Sequence, residues 1–345
     1  MRVGCLGVGL WLALGRCPSA SAQPAEPAPL RLSGVLPGGV SMVATDRWQT
    51  YDFALANPTD TDRIGRLVVF FPDRRDLQYG RDVWVPARST MATWLLVGPA
   101  SAPPGRLSCE VETLLYDRTG GKEQWLRPAT QEKIRSRGLV FRKREAATAA
   151  TAVMIDDEPP ETFVFGQLPQ PETPGDEAVH LARTFRLARG GLSEQVSIVL
   201  AGTLPATPET LDSVEHFVLA SERIALDPCG LRALRHWLER GGKVWVMLDR
   251  VRPEVVAPLL GDALDFQVVD RIGLTTTKIV AHFRGQEVSD APPQQHERPV
   301  EFARVLLPNQ ESVQHTIDGW PIGFARSVGR GTVTFTTLGP RAAKR

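Results

Sequence analysis

From residue 30 to about residue 125, apolar and polar side chains alternate with a period of two. Trp48 to Leu55 places Trp48, Tyr51, Phe53 and Leu55 on an apolar pattern and stops at the turn cluster Asn57-Pro58-Thr59-Asp60. Leu67 to Phe71 is a short apolar strand closed by Pro72-Asp73, and Val83 to Val85 and Thr93 to Val97 are two more. Leu107 to Tyr116 alternates again. Short strands separated by turn residues predict an immunoglobulin-like antiparallel β-sandwich over residues 30–126.

The pattern changes in the second half. Ala152 to Ile155 is a continuous apolar run that ends in Asp156-Asp157-Glu158. Asp176 to Leu187 has helical spacing and closes on Gly190-Gly191. Val196 to Ala201 and Val214 to Ala220 read as buried strands. Asp227 as N-cap and Pro228 at the first position open a helix that carries Leu231, Leu234, Trp237 and Leu238 on one side. Gly241-Gly242 ends it, and Lys243 to Leu248 is the next strand. Pro253 to Leu264 predicts a further helix, followed by a strand at Phe266 to Val269. Four β segments close the chain: Thr277 to Phe283, Phe302 to Leu307, Ile322 to Val328 and Thr332 to Thr337. Gly285 to Pro299 between them is a polar loop, and Gly329-Arg330-Gly331 a tight turn. Alternating strands and helices predict a parallel sheet with helices on both faces over residues 152–340, followed by a basic tail, 341–345. Residues 127–151 form the linker, with a basic cluster at Arg142-Lys143-Arg144 that reads as a solvated face.

The N-terminus adds an address. Arg2, the apolar run Val3 to Leu14 and the small residues Pro18-Ser19-Ala20-Ser21-Ala22 form a secretory signal peptide, residues 1–22, with cleavage after Ala22. A Pro/Ala-rich leader, 23–29, follows. Arg16 fits poorly before a lipidated Cys17. The expected location is the periplasm or the exterior, in a bacterial envelope, with no transmembrane helix in the chain. Cleavage removes two of the four cysteines and leaves Cys109 and Cys229, which read as small buried residues rather than a disulfide framework. The 40 basic and 39 acidic residues nearly cancel and give no footprint for nucleic acid.

Val214 to Leu248, with its apolar strand, helix ending in Gly-Gly and second strand, resembles the class I glutamine amidotransferase-like superfamily of flavodoxin-like α/β domains. The Gly329-Arg330-Gly331 turn before Thr332 is similar to the ending of its envelope-associated members, in which such a domain follows a signal peptide and a β-sandwich. The resemblance covers roughly residues 150 to 340. It implies a cysteine on a strained strand-to-helix turn, activated by a helix N-terminus and served by a histidine and an acid. Here that turn reads Met247-Leu248-Asp249-Arg250-Val251, without Cys, Ser or Gly. The resemblance therefore implies a non-catalytic member.

The remaining chemistry is sparse. Asp156-Asp157-Glu158 is similar to the acidic start of receiver domains, but the strand that should end in the phosphorylated aspartate ends in Leu219-Ala220-Ser221. Cys229 lies in the first turn of a helix, a setting that lowers a thiol pKa, with His236 two turns or about 10 Å away. The histidines have no metal-ligand spacing, and no cofactor is expected. Trp48, Trp84, Trp94 and Trp125 fall at strand positions and read as sandwich core rather than a sugar platform. The main expectation is an exported, non-enzymatic module that binds an unknown protein or envelope component. Its crevice, beyond the carboxyl ends of the parallel strands, would be lined by Asp156, Asp157, Ser221, Glu222, Asp249 and Arg250. The alternatives are a hydrolase using Cys229 or Ser221, and a carbohydrate- or peptidoglycan-binding module.

Overall fold

The computed structural model describes residues 30–38, 47–72, 74–99, 108–126, 139–142, 150–156, 174–190, 196–199, 204, 207–283, 286–288, 292–308 and 313–343. The expected signal peptide, leader, most of the linker, Asp157 and Glu158 lie outside them.

The N-terminal unit is two packed antiparallel sheets. One holds β1 (Arg31–Gly38), β2 (Gln49–Asn57) and β5 (Ser89–Val97), in the order β1-β2-β5. The other holds β3 (Arg63–Phe71), β4 (Arg74–Val85), β6 (Ser108–Asp117) and β7 (Gln124–Leu126), in the order β4-β3-β6-β7, with β8 (Leu139–Arg142) beside β6. Alternation explains the core: Tyr51, Phe53 and Leu55 of β2 meet Leu67, Val69 and Phe71 of β3, and Val111 and Leu115 of β6.

The second unit is built on six strands in the order β10-β9-β11-β12-β20-β19. These are β9 (Ala150–Met154), β10 (Val196–Val199), β11 (Val214–Leu219), β12 (Lys243–Met247), β19 (Gly323–Val328) and β20 (Gly331–Thr336). The first five in that order are parallel neighbours, and β19 pairs antiparallel with β20 at the edge. Helix α1 (Pro174–Ala188) connects β9 to β10, α2 (Pro228–Glu239) connects β11 to β12, and α3 (Pro253–Leu260) follows β12. The fold class nevertheless departs from a flavodoxin-like α/β domain with helices on both faces. The described chain is 52% strand against 22% helix, and most of its sheets are antiparallel. The face under α1 is covered only in part: Ala178, Val179 and Ala182 pack over Val153, Val196 and Val218, while Ala325, Ser327, Thr332 and Thr334 stay exposed to water on the far half. Threonines and a serine on β19 and β20 leave no apolar stripe there for a helix to bury against.

The segment after α3 departs further from an α/β pattern. Its helix stops at Leu260, where Gly261 takes a positive φ of 56°, and a short 3₁₀ turn completes the predicted helical stretch. β13 (Gln267–Thr277) then pairs with β16 (Gln294–Leu306) in a long antiparallel ribbon. The polar loop expected through Pro299 is therefore partly strand. Between and after these strands, β14 (Val280–Phe283), β15 (Gln286–Glu287), β17 (His315–Ile317) and β18 (Trp320–Pro321) form a small sheet in the order β15-β14-β17-β18. The inner half of the ribbon joins the main core through Ala303 and Val305. Phe266 meets both Phe324 and Phe335 edge-on, each with ring centroids 4.9 Å apart.

The Gly329-Arg330-Gly331 turn has a packing role. Arg330 N–H donates to Glu239 O at 2.9 Å and Thr332 N–H to Gly242 O at 3.1 Å, so the β19–β20 hairpin caps the end of α2. The two units touch where the Asp212 carboxyl accepts the backbone N–H of Trp48 beside Arg47.

Candidate functional site

The carboxyl ends of β9, β11 and β12 bring Asp156, Ser221, Glu222, Asp249 and Arg250 to one edge of the parallel sheet. Each has a local reason to be there. Ser221 has extended backbone and caps the 3₁₀ turn Glu222–Leu226, its Oγ accepting from Arg223 N–H at 3.0 Å. The same buried hydroxyl donates to Asp156 Oδ1. Glu222 takes a forked pair of bonds from Arg252, Nε at 2.8 Å and Nη2 at 2.9 Å, and a third from Arg252 N–H at 3.0 Å. These bonds hold its carboxyl below the usual glutamate range. Arg252 is the residue before α3, so the pair ties the 3₁₀ turn to a helix start.

Asp249 stands at the place where the resemblance would put a nucleophile. The residue is half-buried as a whole, yet its carboxyl is enclosed: Oδ1 is buried and has no hydrogen-bond partner among the described residues. Burial pushes its pKa up to about 7, against the opposing pull of Arg250, its own backbone N–H and Arg271, with Glu301 adding to the rise. Arg271 Nε donates to Leu248 O at 3.0 Å, anchoring the ribbon to the end of β12. Gly339 covers the other side, where a Cβ would come 3.4 Å from Asp249 Oδ2. The turn itself is closed. Met247 O accepts from both Arg250 N–H at 3.0 Å and Val251 N–H at 2.8 Å, so these amides are already engaged rather than aimed at an incoming oxyanion.

Cys229 is not the small buried residue expected. It is exposed in the first turn of α2, where the packing side belongs to Leu231, Leu234 and Leu238. Asp227 Oδ1 takes the Gly230 N–H at 2.8 Å, as expected of an N-cap. His236 faces Glu239, with Nδ1 to Oε2 at 3.5 Å. Among the described residues, no histidine hydrogen-bonds to Ser221, Cys229 or Asp249. Beside Cys229, a shallow groove of about 440 Å³ runs between α2 and α3, with Leu231, Val255 and Pro258 among its lining residues.

Several features escape the sequence reading. Two buried threonines bond histidines on neighbouring strands: Thr277 Oγ1 to His296 Nε2 at 2.9 Å within the β13–β16 ribbon, and Thr316 Oγ1 to His282 Nε2 at 2.8 Å across the small sheet. Arg186, Glu215, His216 and Lys243 cluster at the opposite end of the sheet, where burial lowers the His216 pKa. Trp84 and Trp125, expected in the sandwich core, are instead 56% and 47% exposed. Among the described residues no three His, Cys, Asp or Glu side chains gather as metal ligands, and no helix is long and apolar enough to cross a membrane.

No family model and no curated protein matches the chain. Solved structures give distant likenesses only. A cytoplasmic protein of Salmonella typhimurium LT2 is 13% identical with a TM-score of 0.37, over 55% of this chain and 86% of that one. An exo-beta-1,4-mannosidase of Opitutaceae bacterium strain TAV5 is 17% identical with a TM-score of 0.32, over 57% of this chain and 32% of the enzyme. A beta-glucuronidase of Bacteroides uniformis is 11% identical with a TM-score of 0.23, over 64% of this chain and 35% of the enzyme. None of these three is described as an amidotransferase, and at such scores none assigns this chain a fold family or an activity.

Proposed function

We propose that the protein is an exported component of the bacterial envelope that works by binding rather than by catalysis, with its β-rich units as interaction modules. One observation carries this reading. The polar groups at the carboxyl edge of the parallel sheet are engaged with one another: Ser221 with Asp156 and Arg223 N–H, Glu222 with Arg252, and the Arg250 and Val251 amides with Met247 O. A nucleophile needs a base within hydrogen-bond reach and free donors for the developing oxyanion. Among the described residues Ser221 bonds a carboxylate and no histidine, Cys229 bonds neither, and Asp249 is shut beneath Gly339.

The test is to treat purified full-length protein at neutral pH with a fluorophosphonate and with an iodoacetamide probe, and to assay glutamine and simple ester hydrolysis. The expected result is no stoichiometric labelling of Ser221, an ordinary slow thiol reaction at Cys229 and no turnover. Turnover that Ser221→Ala, Cys229→Ala or Asp249→Ala abolishes would overturn the reading and establish the hydrolase alternative.

A further inference from the structure

The outer face of the β4-β3-β6-β7 sheet carries an aromatic surface that a buried core would not leave in water. Strand register fixes its layout. Ile64 lies beside Trp84, and the next row along the same face runs Asp82, Arg66, Tyr116, Trp125 across four strands. One row further lie Val68, which is buried, and Leu114, which is half-buried, so the exposed surface centres on the first two rows. Ile64 is 43% exposed, beside the exposed Trp84 and Trp125 already described. The sheet's other face supplies the sandwich core through Leu67, Val69 and Leu115, so the outer side chains are not needed to hold the sheets together.

Charge sits in the middle of this surface and cancels there. Arg66 reaches Asp82 at 3.9 Å and Glu123 at 3.3 Å, and Arg118 reaches Asp82 at 2.6 Å and Glu123 at 3.3 Å. Two guanidinium groups and two carboxylates close a neutral ring between the two tryptophans. Three strand spacings and two residues of rise separate Trp84 from Trp125 by about 16 Å, room for several linked sugar rings rather than one.

We infer that this face binds a linear, neutral polysaccharide with flat, equatorially linked pyranose rings. Such a ring presents an apolar C–H face, which an exposed indole or phenol can cover, and a rim of paired hydroxyls, which carboxylates and guanidinium groups can bind in forked fashion. The central charge ring decides between this occupant and a second copy of the chain. A dry protein contact would strip water from four charged groups without replacing their hydrogen bonds, a net cost. Sugar hydroxyls would replace that water. A strongly charged chain gains nothing from a ring whose charge sums to zero. This inference goes beyond the proposed function and does not rest on the carboxyl edge of the parallel sheet.

The test is titration calorimetry of the full-length protein with cellohexaose and with chitohexaose, with sedimentation velocity and mass analysis of the sugars. Saturable binding of at least one hexasaccharide is expected, weakened about tenfold by Trp84→Ala and by Trp125→Ala, the loss of one stacking partner each. Trp84→Phe should restore most of the binding, and unfolding midpoints should stay unchanged. Failure to bind either sugar, or equal binding by the double alanine variant, overturns the inference. A wild-type dimer that the double variant abolishes overturns it too, in favour of self-association. Shortened sugar in the mixture would refute the non-enzymatic reading and leave the binding face standing.

Discussion

Gly331 lies so close to Gly242 that a Cβ on it would come within 2.6 Å of the Gly242 carbonyl oxygen and 2.7 Å of Leu238 Cδ1. The carbonyl oxygen of Leu238 is nearer still. Backbone is not the flexible end of a side chain, so the hairpin would have to move off the helix. Gly331→Ala should therefore cost roughly 2–4 kcal/mol in urea unfolding. Gly120→Ala makes a control, because its φ is 83° but nothing lies within 4 Å of its Cβ. That change should cost about 1 kcal/mol, the penalty for a left-handed backbone alone. Equal costs at the two sites would refute the close-approach argument.

Asp249 makes stability depend on pH in an unusual direction. An aspartate in the unfolded chain titrates near 3.8, whereas the enclosed carboxyl here titrates at about 7. Between those values the folded protein holds one more proton than the unfolded chain, so stability falls as pH rises, by roughly 1.4 kcal/mol per pH unit. Below the lower value both states are protonated and the penalty vanishes. Asp249→Asn removes the titration and should flatten this part of the profile, leaving the variant more stable than the parent at pH 8. A variant that follows the parent slope between pH 4 and pH 7 would show that another group sets it.

The start of α2 depends on one carboxylate oxygen. Asp227→Ala removes the acceptor of the Gly230 N–H and should lower stability by about 1 kcal/mol in denaturant titration. Asp227→Asn keeps an oxygen at that position and should recover most of the loss. If asparagine is as damaging as alanine, the bond at 2.8 Å is not what holds the helix start.

Export is checked by mass. Expressed with its full N-terminus in a Gram-negative host, the chain should accumulate outside the inner membrane with Gln23 as its first residue, as the Ala20-Ser21-Ala22 pattern requires. Intact Met1 on protein recovered from the cytoplasm would remove the envelope from the proposal.

Local signals are legible where the residues that make them act within a few positions of one another. Asp227-Pro228 marked the start of α2, Gly241-Gly242 its end, and the alternation around Phe53 and Leu115 marked strands. What the sequence hid depends on distant partners. Gln267 to Thr277 shows a strand pattern only near its start, and its partner, Gln294 to Leu306, opens on a polar stretch interrupted by Pro299. Threonines 332 and 334 suit a strand whichever face is dry, so the uncovered half of the sheet was invisible, and with it the true fold class. Of the expected crevice, Ser221 and Asp156 do meet, while Asp249 is sealed rather than open. The two tryptophans depart from the expected core positions for a simple reason. Alternation shows that Trp84 and Trp125 lie on faces opposite Val83 and Leu126, and it does not say which face is the core.

Among the described residues both edge strands of the six-stranded sheet are short, four residues in β10 and six in β19. At the β19 edge Arg326 lies over the Phe324 ring, 5.3 Å from its centroid, and binds Asp265 at 2.6 Å. So little unpaired backbone, with a cation fixed beside it, offers a poor template for another chain to extend. Concentrated protein should resist fibrillation through this sheet.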